Sequence, residues 1–319
     1  MTKLLHYGID LARMAIEGQQ QKKCPGDDNS NDIRDPSLRK YVVASSGCYG
    51  AALANGAEYT GDYPGMTIQT LKDFHRKKAN ALWDHRPDGL AIETIPTVDE
   101  CQAVCEMLRE IQQEEQEETG ESNNTDDGGD GSKCCCWISL ACRNETELNN
   151  GQSLADALHV IQEVDPEAKF VHGIGLNCCD SANISSLVQI LTSTMAAHQI
   201  ADRAASEWGG RQRRRAIIIY PNSGEEWDAG KSTWKDNTGC TSSDDFAARL
   251  MEAVDMVETT WKQSYSQIVD NLSFIPSRPR LVMGGCCRTR PETIMALRKL
   301  VDDRHQALDS TTTSEKATR

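Results

Sequence analysis

The chain has 319 residues, 38% hydrophobic and 26% charged, which suits one large domain or two modest ones with a sizeable core. Forty-eight acids against 34 bases leave a net charge of −14, excluding the basic footprint of a non-specific nucleic-acid binder. No run approaches the roughly 18 consecutive apolar residues of a spanning helix, so no membrane partner is expected.

The first predicted element is a helix over Lys3–Ile16, with no strand before it. Its charges interleave with apolar positions, unlike a secretory signal, so a cytoplasmic, reducing compartment is expected. In that setting thirteen cysteines point to metal, catalysis or burial rather than disulfides.

Six short β-rich runs follow: Tyr41–Ala44, Gly89–Ile92, Cys136–Leu140, Val171–Leu176, Ala216–Tyr220 and Leu281–Met283. A segment of helical periodicity comes after each, over Thr67–Trp83, Val98–Gln113, Leu154–Val164, Ile184–Ala197, Phe246–Trp261 and Pro291–Val301. Alternation of this kind predicts parallel βα units. The count is six rather than the eight of a closed (β/α)8 TIM barrel, so one barrel domain over residues 1–309 is expected to lack its first two strands.

Three stretches carry no pattern that could be buried: Gly18–Ser37, Ile111–Lys133 and the tail Ser310–Arg319. All read as solvated loops or disorder. Nine acids and no base fall between Glu110 and Asp130, and without them −14 becomes −5, so the acidity says little about a partner. The run Arg211–Arg215 precedes an apolar strand and reads as a solvated lead-in to it, an anion site being the lesser alternative.

Polar and glycine-rich motifs fall just after each strand: SSGCYG, ET, ACRN, NCC, PNSGE and GGCCRT. In a barrel this rim builds the active site. Cys178 in GIGLNCCD and Cys286 with Cys287 in GGCCRT therefore share one edge. Three thiolates with an open fourth position suit catalytic zinc, and soft sulfur selects zinc over magnesium or calcium. The spacing equally admits three buried thiols packed as small hydrophobes. Adjacent Cys286 and Cys287 converge only where the strand has ended, and Gly284–Gly285 is expected to allow that turn.

Glu93 closes GLAIET on the same rim, where a carboxylate needs a partner, and Thr94 beside it is placed to support it. Asn222, Ser223, Gly224 and Glu225 form a polar turn that reads either as a substrate loop or as scaffold. The consecutive Cys134, Cys135 and Cys136 suit one metal poorly. Cys101 and Cys105 share a helix face and read as core. Cys179 should point away from the triad, and His172 reads as a satisfied histidine inside its strand.

These motifs resemble the homocysteine S-methyltransferase family. The matching stretches are SSGCYGAALANGAEYTGDY, FHRKKANAL, GLAIETIP, GIGLNCC, YPNSGEEWD and GGCCRTRPETI, between about residues 40 and 300. The resemblance implies a (β/α)8 barrel with Zn2+ on Cys178, Cys286 and Cys287. It implies homocysteine as substrate, its ammonium held by Glu93 and its thiolate by the zinc. Methyl transfer from a sulfonium donor, S-methylmethionine or S-adenosylmethionine, would then give methionine. The segments GAEYTGDY and YPNSGE look more like the sulfonium-using branch than the betaine-using one.

One departure stands out. The family opens with a strand ending in a DGG-type motif, and none lies upstream of Tyr41, the only such triplet being Asp127–Gly129 in the acidic stretch. A late start in the gene model is the simplest expectation. Feeble turnover by the chain alone is another. The alternative is a non-catalytic remnant that binds zinc as a metal-binding or regulatory partner.

Overall fold

The computed structural model describes residues 2–20, 39–119, 135–205, 214–225, 227–228, 233–266 and 278–317. Six parallel strands form one sheet in chain order: β1 (Val43–Gly47), β2 (Gly89–Ile95), β3 (Cys135–Leu140), β4 (Gly173–Asp180), β5 (Ala216–Asn222) and β8 (Leu281–Met283). The helices are α1 (Thr2–Gln20), the single-turn α2 (Tyr49–Leu53), α3 (Ile68–Trp83), α4 (Val98–Thr119), α5 (Leu154–Val164), α6 (Ile184–Ala205), α7 (Ser243–Ser266) and α8 (Pro291–Ala317). Two-residue strands β6 (Trp227–Asp228) and β7 (Thr233–Trp234) pair antiparallel in the β5–α7 connection, an element too short for periodicity to reveal.

The expected six βα units are present, and the sheet is not closed. Among the described residues β1 pairs only with β2 and β8 only with β5. Val43 and Val282 on these edge strands are correspondingly exposed, whereas β2 and β4 inside the sheet are buried almost throughout. Burial on both faces explains why the central strands read as unbroken apolar runs rather than alternating ones. Their Leu90, Ile92, Ile138, Leu140, Leu176, Ile217 and Ile219 form one core with Val104, Leu158 and Leu187 from the covering helices. Helices start where side chains can accept orphan amides: Thr67 Oγ1 from Thr70 at 3.1 Å and Ser153 Oγ from Ala155 at 3.1 Å.

α1 docks on the C-terminal end of α3. His6 Nε2 meets the Ala81 carbonyl at 2.8 Å, His85 bonds Asp10 at 2.7 Å, and the two imidazoles stack with centroids 4.4 Å apart. Its opposite stripe, Leu4, Tyr7, Leu11 and Met14, faces outward. No helix among the described residues is long and apolar enough to cross a membrane.

Four expectations need correction. α1 runs on to Gln20, through the start of the stretch read as a loop from Gly18. α4 continues through Ile111 to Thr119, because Ile111 reaches the core while Glu110 and Glu114 pair with Arg76 on α3 at 2.5 and 2.9 Å. Part of the acidic stretch is thus a helix face with cationic partners, and residues 120–134 lie outside the described ones, as do 21–38. α8 likewise runs to Ala317, through the segment read as a tail; a helix anchored by Leu297 propagates more easily than it starts. Of the run Arg211–Arg215, residues 211–213 lie outside the described ones and Arg214 is exposed, but Arg215 is buried against Asp165, with Nε donating to the Val171 carbonyl at 3.1 Å and Nη1 to Gln162 at 3.0 Å.

Candidate metal centre

The C-terminal ends of β4, β5 and β8 bring the predicted cysteines together. Cys178 Sγ lies 2.7 Å from Cys286 Sγ and 4.0 Å from Cys287 Sγ, and the last two sulfurs are 4.0 Å apart. These are the only three described residues of ligand type forming such a cluster.

Local backbone explains how they converge. β4 slips register against β5 between Asn177 and Asp180, and Cys178 at that bulge takes a left-handed φ of 50°. The slip turns Cys178 out of the strand's alternation while Cys179 stays buried in the core, as expected. The β8 extension lies along β5, with Gly284 donating to Ile219 at 2.9 Å, Cys286 to Pro221 at 2.8 Å and Ser223 to Cys287 at 3.3 Å. The left-handed step there falls on Arg288, φ 67°, rather than on the Gly284–Gly285 pair. Gly285 is needed for space instead, since a Cβ would sit 2.4 Å from Thr289 Oγ1, whose hydroxyl caps the Cys286 carbonyl at 2.7 Å.

The triad fits a divalent soft metal. Sulfurs sharing a tetrahedral zinc at about 2.3 Å lie about 3.8 Å apart, so two of the separations already match and the third opens by about 1 Å. Three thiols this close do not all ionise unaided. Hydrogen bonds from Cys178 and Cys286 bring the Cys287 thiol down to about 3, while the same contacts and burial push Cys178 up, and Cys286 is also raised. One thiolate held by two thiols is the arrangement a cation converts into three thiolates.

Beside the triad, β2 carries a second bulge. Its register against β3 slips between Ile92 and Ile95, and Thr94 has φ 64°. The Thr94 amide donates to Asn177 Oδ1 at 2.9 Å, and Asn177 Nδ2 donates to Thr94 Oγ1 at 2.8 Å. Thr94 therefore fastens β2 to the strand that bears Cys178. Glu93 is half-buried and accepts from Tyr220 OH at 2.8 Å and from the Ser45 hydroxyl. The Tyr220 hydroxyl also meets Ser139 Oγ at 2.7 Å and receives Trp137 Nε1 at 3.3 Å, and burial beside Glu93 raises its pKa so that it stays a donor.

Asn222 and Ser223 hold the rim. Asn222 Nδ2 donates to the Cys178 carbonyl at 3.3 Å and its Oδ1 accepts from Gly224 at 2.9 Å. Gly224, at φ 78°, leaves no room for a Cβ beside the Asp180 carboxylate. Ser223 Oγ donates to Glu225 at 2.8 Å, and Glu225 forms a two-pronged pair with Arg288 at 2.8 and 3.1 Å, which lowers its pKa. Tyr59, Asn222, Glu225, Cys287 and Arg288 line a cleft open to solvent.

The other cysteines separate cleanly. Cys101, Cys105 and Cys136 are buried in the core and Cys135 is exposed, while Cys134 lies outside the described residues. His172 lies just before β4 rather than inside it, and its Nδ1 accepts from the Cys136 amide at 3.2 Å. Sequence reasoning gave no role to Ser45, Tyr59, Asn177 or Tyr220. For Ser45, Asn177 and Tyr220 the available signal was position near a strand's C-terminal end, on the rim already singled out, whereas Tyr59 lies in the connection between α2 and α3.

A family model described as homocysteine S-methyltransferase matches residues 1–301. A selenocysteine methyltransferase from Astragalus bisulcatus is 29% identical over 301 residues, covering 93% of this chain and 70% of that protein. Homocysteine S-methyltransferase 4 from Zea mays is 28% identical over 300 residues, covering 94% and 68%. The crystal structure of the homocysteine methyltransferase MmuM from Escherichia coli, in its metallated form, superposes with a TM-score of 0.58 at 23% identity, covering 93% of this chain and 70% of that one. The six-strand sheet is thus an unclosed version of a TIM-barrel-like fold.

Proposed function

The chain belongs to the homocysteine S-methyltransferase family, and from that premise we propose that it moves a methyl group from S-methylmethionine or S-adenosylmethionine to the sulfur of homocysteine, giving methionine. The reading rests on one observation above all: three sulfurs within 4.8 Å of one another, on the rim near which Glu93 lies toward the C-terminal end of β2.

Cys178, Cys286 and Cys287 are the residues that would hold zinc. When bound, zinc would act as a Lewis acid that favours the thiolate form of the substrate's sulfur. The chain's other residues supply placement. Glu93 offers its carboxylate to the substrate's ammonium, and Tyr220 with Ser45 fixes the direction in which that carboxylate points. Asn222 and Ser223 brace the two cysteine-bearing backbones and so act as positioning residues. In the transfer, the substrate sulfur forms the new S–C bond while the donor's S–CH3 bond breaks, its electron pair remaining on the departing neutral thioether. The thiol proton goes to solvent, so no side chain needs to act as general base. We further propose a cytoplasmic location, consistent with eleven described cysteines that are all free.

The test is methionine formation by purified, zinc-supplied protein offered homocysteine with S-methylmethionine, S-adenosylmethionine or betaine in turn. Product from either sulfonium supports the proposal, and product from betaine alone rejects the donor class. Selenocysteine belongs in the same assay as acceptor, because relatives are named for it. The unclosed sheet favours a second reading, a zinc-binding chain without activity. Tight zinc with no transfer from any donor would support that reading instead.

A further inference from the structure

We propose that Tyr59 is the aromatic face on which the donor's sulfonium rests, an inference that depends on the sulfonium reading above. Tyr59 is 58% exposed, yet it lines the same cleft as Cys287, Asn222, Glu225 and Arg288. Its hydroxyl makes no hydrogen bond among the described residues. An exposed ring in the same cleft as Cys287 is a face without a partner among the described residues.

The backbone beneath that ring is fixed. Tyr59 closes a single 3-10 turn, Ala57–Tyr59, with its amide donating to Gly56 at 3.0 Å. Ala57 is buried, and Asn149 Nδ2 donates to the Glu58 carbonyl at 2.8 Å. Gly50 packs so closely that a Cβ there would lie 2.6 Å from the Glu58 nitrogen. Two further anchors reach this loop from the buried Glu100 carboxylate, which accepts from the Tyr49 amide at 2.6 Å and from the Tyr63 hydroxyl. The ring is therefore carried on a turn held by Asn149, Gly50 and Glu100.

A sulfonium is the ligand this face suits. The negative face of an aromatic ring attracts a cation, most strongly where water is partly excluded. The acceptor's thiolate and the neutral thioether product gain nothing from it. Positive charge drains from the donor sulfur as the methyl departs, so the contact strengthens donor binding and fades as product forms. Tyr59 would therefore set donor affinity and ease product release rather than accelerate the chemical step.

The experiment is calorimetric titration of the zinc-loaded full chain with S-methylmethionine and S-adenosylmethionine, each compared with its neutral counterpart, methionine and S-adenosylhomocysteine. Tyr59→Leu should weaken both sulfoniums about 10-fold and leave the neutral pair and zinc content unchanged, whereas Tyr59→Phe should stay within about 3-fold of wild type. Unweakened sulfonium binding in Tyr59→Leu overturns the inference. So does an equal loss of the neutral ligands, which would mean shape rather than charge, or an equal loss in Tyr59→Phe, which would mean the hydroxyl. A wild-type chain that takes up neither sulfonium overturns the donor reading itself, and this inference with it.

Discussion

Asn177 and Thr94 grip each other across the sheet, each donating one hydrogen bond to the other, at 2.9 and 2.8 Å, from strands that are not neighbours. Their chain neighbours are Cys178 and Glu93. One buried amide side chain thus sets the spacing between the candidate metal ligands and the candidate ammonium site. Asn177→Ala should leave the Thr94 amide without that partner, costing about 1–3 kcal/mol of stability by denaturant titration. Zinc content and homocysteine affinity should fall together. Loss of stability with both affinities intact would show that the clamp holds only the fold.

Serine in place of Cys178, Cys286 or Cys287 should remove most bound zinc, as measured by metal analysis of purified protein. The three should behave alike, since each supplies one sulfur to the same cluster. Unchanged zinc in Cys287→Ser would move the site elsewhere, with Cys135 the first place to look.

Zinc uptake should release the protons of Cys178 and Cys286 but none from Cys287. The Cys287 thiol already sits at about 3, whereas its two partners are raised and protonated at neutral pH. Zinc affinity should accordingly climb with pH through the neutral range, because the bound state carries fewer protons. Calorimetry in buffers of different ionisation enthalpy counts them; a release of one proton or three would refute this distribution.

Glu93→Gln should weaken homocysteine binding by roughly 10- to 150-fold, the scale of a charge-assisted hydrogen bond at about 1.5–3 kcal/mol, without loss of zinc. Tyr220→Phe should have a smaller effect in the same direction, because it removes the donor that aims the carboxylate at 2.8 Å. Equal affinity in Glu93→Gln, read by titration, would deny the carboxylate its role.

Arg215→Ala should destabilise the fold by about 3–5 kcal/mol, because it strands the buried Asp165 carboxylate without its cation. Asp165 also accepts from the amides of Lys169 and Val171, each at 2.8 Å, so the turn before β4 should loosen first. A denaturation midpoint close to wild type would mean that water reaches Asp165.

The six strands and their following helices were legible because hydrophobic period and breaker residues are local signals. Leu154–Val164 and Leu281–Met283 match to the residue. Helix ends were not, since beyond the predicted ends Glu114 pairs with Arg76 and Arg304 with Asp255 and Glu258, tertiary contacts that composition does not record. Cys178, Cys286 and Cys287 were readable as a set from a rim argument strengthened by resemblance. The bulges that aim Cys178 and Thr94 were not, because each residue type favours ordinary backbone and only the partner strand's register reveals the slip. The Glu93 network escaped for a related reason. Ser45, Ser139 and Tyr220 come from three strands spread over more than half the chain, and no spacing rule links them.

Thr94, Cys178 and Arg288 all occupy left-handed backbone without being glycine, and all three stand on the candidate site's rim. Each such residue is held against a bias of about 1 kcal/mol or more, which the surrounding packing must overcome. Glycine would remove the bias and, at Cys178, the sulfur with it. The rim therefore carries a strain that the rest of the central strands does not. As temperature or denaturant rises, it should relax to ordinary backbone while the central strands still hold, and metal should leave before the chain unfolds. The inactivation curve of this protein should precede its melting curve.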